Sequence, residues 1–544
     1  MNREHLIELV FLALLFGGLL YIGPGAVFHR QLSHEKPVYF AAGDGYLYAK
    51  LTNYAYDAGS FKYLPPYSAA GFNDSIEYHP PLMPVLAAAF AHTAGLHGHD
   101  AMALMMALGM LFGALLMYWL VRSWNKTVAM LGAALFVFLY ISRFAIGYTW
   151  GQVLFHLGTF FLMALFYLMG KQDLKHWWVP AGILIAGTIN AHTSETFFFY
   201  VFAVFFLSVK FVVRQLPKHE LVWWLKQLAL ASLLAVILSF NYIIIFHNGY
   251  GADPENQLRF DKPMKPEDFG AVRAPLLTDF TMPVLIALLV GVAIAAVLAC
   301  KQAHAALLAS GFMFLVGMSN YIGIESLFYR AFQTRFAWPA YLAVFFGITL
   351  YFIIKKFTRN TLIIAIVGIA LAGFFVQQNY QTLNAEIIYD QQWEGIEWLY
   401  ANTDPMATVL FLYGDSYDQW VRMVKRPAFL ASASDLVAMA QSGTLRRMVQ
   451  IEPFVVNDVY LLYRKSFFEF GRHAKEQNIT IFPAKFDLCS YDYYVIDRRS
   501  AYQPQLAQLN VQFANLFLAH NMTMQFQNDH LVILKHRAGG ECIA

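Results

Sequence analysis

Charge is scarce in this sequence: Asp, Glu, Lys and Arg make up 13% of its 544 residues, against roughly a quarter in a soluble globular chain. Water cannot be the solvent for most of such a chain. Neither sign of charge dominates, since the formal net charge is +3, and the overall balance therefore gives no reason to expect nucleic acid or an acidic substrate. Cysteine is almost absent. Cys300, Cys489 and Cys542 show no zinc spacing and make no disulfide framework; Cys489 and Cys542 fall in one region and could pair, and the sequence leaves that open. There is no internal repeat and no low-complexity segment, so nothing points to a solenoid.

What fills the chain is apolar surface: 58% of residues are hydrophobic and the mean hydropathy is +0.46. A hydrocarbon core takes about 20 apolar helical residues to cross, and such stretches recur. Eleven are expected, over 5–24, 101–121, 127–142, 153–170, 177–190, 196–213, 226–246, 281–299, 302–319, 337–354 and 361–378. The run 82–96 is also apolar, but it is short, contains His92 and starts among Pro80, Pro81 and Pro84. It reads as interfacial or re-entrant and stays outside the count.

The short connections orient the bundle, because lysine and arginine are retained on the cytoplasmic side. With Met1 inside, alternate connections carry Arg122 and Lys126; Lys171 and Lys175; Lys210, Arg214, Lys218 and Lys226; Lys301; and Lys355, Lys356 and Arg359. The short outer connections near 143–151 and 191–195 hold Arg143 as their one lysine or arginine, and the longer outer loops 25–80, 247–280 and 320–336 mix both signs. An odd number of spans then leaves the C-terminal region outside the cytoplasm. The first apolar stretch is long and runs into Pro24 without a small-residue processing site, so it is expected to remain as an anchor.

Residues 1–379 therefore read as a multi-span membrane domain with a long first outer loop, 25–80, and residues 380–544 as one extracytoplasmic α/β domain. In the latter, polar residues become frequent, and strand-like runs at Thr408–Tyr413 and Tyr493–Ile496 alternate with helical stretches such as 391–401. The mixed-charge run 247–280 reads as a solvated lid or connector.

Chemistry is most legible in the first outer loop. Asp44 stands about twenty residues beyond the first span, and His79-Pro80-Pro81-Leu82 shortly precedes the next apolar segment. An acid at the membrane surface can polarise an acceptor, act as a base, or hold a divalent cation beside a phosphate. The simpler reading makes Asp44 a helix N-cap and the proline pair a helix boundary, and residue type alone does not separate the two. At the outer ends of later spans, His192 and Glu195 can either cap a helix or touch substrate, and Arg335 can either anchor a helix at headgroup level or fork onto a phosphate.

The arrangement as a whole resembles the GT-C glycosyltransferases, and within them the catalytic subunit of oligosaccharyltransferase. That family pairs an Asp-bearing helix in its first loop with a Tyr/His-Pro-Pro-Leu segment, matched here by Asp44, Tyr48, Tyr78, His79, Pro80, Pro81 and Leu82. Its outer domain opens with a helix bearing a Trp and a Trp-Leu pair and an Asn-Thr turn before the acceptor-reading WWDYG motif; Trp393, Trp398, Leu399, Asn402 and Thr403 carry that likeness. Two departures stand out. Leu412, Tyr413, Gly414, Asp415 and Ser416 occupy the place of WWDYG, and Trp150 and Gln152 stand where the family's second loop has metal-binding acids.

The resemblance implies a polytopic α-helical membrane enzyme that moves a sugar or oligosaccharide from a polyprenyl phosphate or diphosphate carrier to a protein or glycan acceptor outside the cytoplasm. Asp44 would be catalytic and Arg335 would bind the donor phosphate. Tyr48, His79, His192, Glu195, Glu325, Tyr413 and Asp415 are the remaining candidates for acceptor or substrate contact. Manganese or magnesium is the cofactor the resemblance allows, with Asp44 and Glu325 as its protein ligands. The near alternative is a single-sugar transferase acting on a lipid or glycan. A transporter or noncatalytic scaffold is the alternative of another class, but transporters carry midplane ionisable groups and inverted repeats, and neither is evident here.

Overall fold

The computed structural model describes residues 3–22, 25, 28, 31–38, 43–59, 63–68, 75–76, 79–139, 153–171, 174–212, 214–248, 282–302, 334–379, 388–413, 423–432, 462–464, 470–472, 491–498, 504–519 and 522–537. Long apolar segments without internal helix breakers form helices, because a chain in hydrocarbon must satisfy its backbone polar groups internally. In order these are α1 (Arg3–Ile22), α2 (Gly43–Ala58), the short strand β1 (Ser75–Ile76), α3 (Leu82–Ala94), α4 (Gly98–Trp124), α5 (Lys126–Leu139) and α6 (Val153–Met169). There follow α7 (Trp178–Ala191), α8 (Thr193–Val212), α9 (Lys218–Phe246), α10 (Met282–Gln302), α11 (Thr334–Ile354) and α12 (Thr361–Asn379).

Among the described residues, α1, α4, α8 and α9 are long and apolar enough to cross a bilayer, and shorter apolar helices occur at 82–94, 157–169, 178–191, 282–295, 344–354 and 361–374. The expected span 302–319 lies outside the described residues apart from Gln302. α3 is 13 residues long and ends at Gly95, whose φ of +66° is left-handed backbone that suits glycine. It packs on α2 and α4 and buries Met83, Pro84, Ala87, Ala88 and Ala91.

The bundle closes by small-residue contact. A Cβ on Gly347 of α11 would lie 2.3 Å from the Val128 carbonyl oxygen of α5, and one on Gly291 of α10 would lie 2.0 Å from that of Phe345. Backbones come this close where dispersion, rather than hydrophobic exclusion, holds helices together. Outward, α9 exposes Leu225, Leu230, Leu233, Val236, Ile237 and Leu238, an apolar face suited to lipid.

After the bundle come α13 (Asp390–Asn402), β2 (Val409–Tyr413), β3 (Ala428–Ser432), β4 (Leu462–Arg464), β5 (Phe470–Arg472), β6 (Tyr493–Asp497), α14 (Pro504–Leu518), β7 (Met522–Gln527) and β8 (Leu531–His536). Five strands form one sheet in the order β3-β2-β6-β8-β7; β3, β2 and β6 run parallel, and β8 and β7 add antiparallel at one edge. Its central strand β6 is buried along its whole length, as a strand covered on both faces should be. Phe513 and Phe517 of α14 cover one face, with the Phe517 ring 5.2 Å from that of Tyr494. A second sheet, β1-β4-β5, includes the strand from the first loop.

Candidate functional site

Asp44 is the second residue of α2, inside its first turn rather than at an N-cap position before it. Tyr48 follows one turn later on the same helical face. The ring of His79 meets that of Tyr48 edge-on, with centroids 6.1 Å apart and planes at 86°. The two halves of the first-loop motif are thus in contact although thirty residues of chain separate them. Tyr46 and Ala49 of α2 are fully buried. A Cβ on Gly98 would fall 2.5 Å from Asn53 Oδ1, so the first turn of α4 can approach α2 only because glycine stands there.

The segment leading to α2 is pinned by residues that sequence reasoning missed. The His34 backbone N–H donates to Asp100 Oδ2 at 2.6 Å, His34 Nδ1 lies 3.0 Å from Asp100 Oδ1, and His99 Nε2 donates to the His34 carbonyl at 2.7 Å. Asp100 is wholly buried. Four histidines and two acids within 34–35 and 92–100 are the sequence signal that could have found this anchor. Lys50, another missed residue, is buried on α2 with its amine 5.5 Å from the centre of the Tyr54 ring.

Three further ties join the first loop to the sheet-bearing region. Lys36 Nζ donates to Asp390 Oδ1 at 2.5 Å and to the Ile388 carbonyl at 3.1 Å. Asp57, at the end of α2, receives Lys425 Nζ at 2.7 Å and the Tyr67 hydroxyl at 2.9 Å. Burial, reinforced by Tyr54 and Asp57, pushes the Tyr67 phenol above its ordinary range, so it stays a neutral donor. β1 pairs antiparallel with β4 through Ser75 with Tyr463 and Ile76 with Leu462. Asp44 therefore starts a helix held between the bundle and the sheet.

His192 closes α7, its N–H donating to the Thr188 carbonyl, and Glu195 lies in the first turn of α8. Their side chains hydrogen-bond through Nδ1 and Oε2. Glu195 is 1% exposed, and its Oε1 finds no partner among the described residues; nor does the buried Thr159 hydroxyl. A Cβ on Gly158 would come 2.9 Å from Glu195 Oε2, so glycine on α6 makes room for the acid. Capping alone does not require a carboxylate buried in this way.

Arg335 is the second residue of α11, and Tyr413 closes β2; their side chains, like that of Asp44, lie outside what the structure describes. Trp150, Gln152, Glu325 and Asp415 lie outside the described residues, as do Cys489 and Cys542. The residues that carry the second likeness hold the fold. Trp398 packs on Tyr493 and Phe526, with ring centroids 6.2 and 5.9 Å away. The Thr403 hydroxyl donates to the Leu399 carbonyl at 2.6 Å and accepts Arg426 Nε at 2.9 Å. Arg426, 6% exposed, also reaches the carbonyls of Leu399, Tyr400 and Thr403 and so caps the C-terminus of α13. Among the described residues, no group of three His, Cys, Asp or Glu side chains is arranged to hold a metal ion.

No family model matches the sequence, and no curated protein matches it by sequence. Solved structures do match in fold. The apo oligosaccharyltransferase of Archaeoglobus fulgidus aligns at a TM-score of 0.58 and 13% identity, over 98% of this chain and 74% of that one. The same enzyme has been solved with zinc and sulfate, and tethered to an acceptor peptide containing an NVT sequon. ArnT of Cupriavidus metallidurans bound to undecaprenyl phosphate aligns at 0.53 and 10% identity over 98% of both chains. The arabinofuranosyltransferase AftD from Mycobacteria aligns at 0.55 and 11% identity, over 99% of this chain and 40% of that one. All three are GT-C glycosyltransferases, and this chain has their fold, that of a polytopic α-helical membrane protein.

Proposed function

We propose that this GT-C-fold chain is a membrane glycosyltransferase that takes a sugar or oligosaccharide from a polyprenyl phosphate or diphosphate and passes it to an acceptor on the extracytoplasmic side. The observation that carries the reading is the Tyr48–His79 contact: it joins the Asp44 helix to the His-Pro-Pro-Leu segment, in a fold shared with enzymes of this kind. On this reading the bundle crosses the membrane eleven times, and residues 380–544 form the outer domain beside the site.

Asp44 accepts a proton from the acceptor, or polarises it, as the acceptor heteroatom attacks the anomeric carbon. The bond from that carbon to the carrier phosphate breaks, and the phosphate leaves with the electron pair towards Arg335, whose planar fork suits two phosphate oxygens. Attack opposite the leaving group inverts the anomeric centre. Tyr48 and His79 form a wall of the site, Tyr413 and Asp415 contact the acceptor, and Glu195 with His192 offers a carboxylate at the outer ends of α6–α8. A divalent cation would have Asp44 and Glu325 as protein ligands and would need waters and donor phosphate for the rest. With Trp150 and Gln152 in the second loop, that donor set is too thin for a tight site, and the chemistry is assigned to the chain's own residues.

The acceptor class turns on the stretch Leu412–Ser416, which lacks the WWDYG pattern. Transfer to an asparagine in a protein is the first reading. Single-sugar transfer to a lipid or glycan is the second, favoured by the end-to-end alignment with ArnT. Purified protein given lipid-linked donors and paired peptides, one with an Asn-x-Ser/Thr sequon and one scrambled, separates them: transfer to the peptides supports the first reading, and transfer to neither supports the second. We expect no sequon preference; a strong one would restore the oligosaccharyltransferase specificity in full.

A further inference from the structure

The end of the bundle opposite the sheet holds a second polar site. α4 begins against the His34 segment and, at about 1.5 Å per residue over 27 residues, ends roughly 40 Å away, where Arg122 clasps Glu8 of α1. Beside that end, a cavity of about 350 Å³ opens between the α4–α5 turn and the α11–α12 turn, lined by Asn125, Thr127, Tyr351, Lys355, Thr358 and Arg359. Its volume is far above the roughly 15 Å³ that admits one water.

The charges at this end are unevenly matched. Glu8 lies against Arg122 and Lys126, and Glu4 against Lys126. No carboxylate among the described residues comes within ion-pair distance of Lys355 or Arg359. Lys355 has its amine 5.5 Å from the centre of the Tyr351 ring, a contact that leaves its protons available to an anion. Asn125 Oδ1 accepts the Val128 N–H at 3.0 Å, leaving its NH₂ as donor, and Thr358 Oγ1 accepts the Asn360 N–H at 3.0 Å, leaving its hydroxyl proton. Two cations and two neutral donors therefore border one cavity.

The surroundings decide the source of the anion. Phe357, at the turn, is 83% exposed, and Ile353, Leu362, Ile363 and Ile366 on the flanking helices are exposed as well. An aromatic ring at a helix turn beside cations, with apolar faces running away from it, fits a bilayer interface better than bulk water. We propose that this cavity binds the phosphate headgroup of an anionic phospholipid, whose acyl chains lie along the exposed faces of α11 and α12. Basic pockets between helices on the cytoplasmic side are where such headgroups are held.

The test is thermal unfolding of the full-length protein in neutral detergent, titrated with short-chain phosphatidylglycerol, short-chain phosphatidylcholine or inorganic phosphate. Phosphatidylglycerol should raise the midpoint by about 5 °C at saturation, and the other two should leave it unchanged. Lys355→Gln/Arg359→Gln should keep the unliganded midpoint and weaken the phosphatidylglycerol response about thirtyfold. Lys218→Gln/Lys226→Gln, on another basic connection, should respond as wild type. If the double variant is poorly folded, each single substitution should still weaken the response several-fold. An equal shift with phosphatidylcholine, an equal shift with inorganic phosphate alone, or an undiminished response in the Lys355 and Arg359 variants would overturn the proposal.

Discussion

Asp57 and Lys425, 368 residues apart in sequence, meet with Nζ 2.7 Å from Oδ2 at the point where the helix that begins with Asp44 ends against the sheet. A half-exposed ion pair is worth only about 0.2–1 kcal/mol, so its contribution is to placement more than to stability. Asp57→Lys should lower transfer several-fold by repelling Lys425, and Asp57→Lys/Lys425→Asp should recover most of it. Initial rates of the two single variants and the double variant give the coupling directly.

The His34–Asp100 anchor lies ten residues before Asp44 and holds the loop from the bundle side. Asp100→Asn keeps an acceptor for one of the two contacts and loses the charge; Asp100→Ala loses both. Activity should fall in that order, by about threefold and about thirtyfold, with donor affinity less affected than turnover. Equal kcat for Asp100→Ala and wild type would show that the loop is positioned by other contacts.

Arg426 is the hub of the α13 C-terminus: its removal takes a donor from the carbonyls of Tyr400 and Thr403, while that of Leu399 keeps the Thr403 N–H and hydroxyl. Burial holds its guanidinium below the ordinary pKa, yet it remains charged at any physiological pH. Arg426→Met should destabilise the sheet region by about 3 kcal/mol, seen as earlier proteolysis of residues 388–537 on heating. Unchanged protease resistance would mean that the carbonyls find other donors.

The proposed orientation puts Gln525, exposed on edge strand β7, outside the cytoplasm. Gln525→Cys in a background lacking the three native cysteines should react with an impermeant maleimide on intact cells. Reaction only after lysis would invert the bundle and put Asp44 on the wrong side for an extracytoplasmic acceptor.

The apolar runs were legible because hydrocarbon thickness imposes a length on them, and α1, α4, α8 and α9 lie where hydropathy alone put them. The strands Val409–Tyr413 and Tyr493–Asp497 were legible for a related reason: a covered parallel strand is a short unbroken apolar run. Contacts between distant segments were not. Nothing local in Lys36 or Asp57 specifies Asp390 or Lys425 as partner, and Arg426 reads in sequence as one more surface cation. The motif spacing did bring Tyr48 and His79 together, whereas Asn402 and Thr403, matched by the same resemblance, serve a helix end.

The most direct test of the account is the transfer rate of purified wild type and Asp44→Asn, each with and without a chelator, alongside binding of the lipid-linked donor. Asparagine keeps the shape of the side chain and removes its charge. The expected result is a loss of about a hundredfold or more in turnover with donor binding little changed, and little effect of the chelator on wild type. Near-normal turnover by Asp44→Asn would contradict the assignment of Asp44 as the catalytic carboxylate of the site.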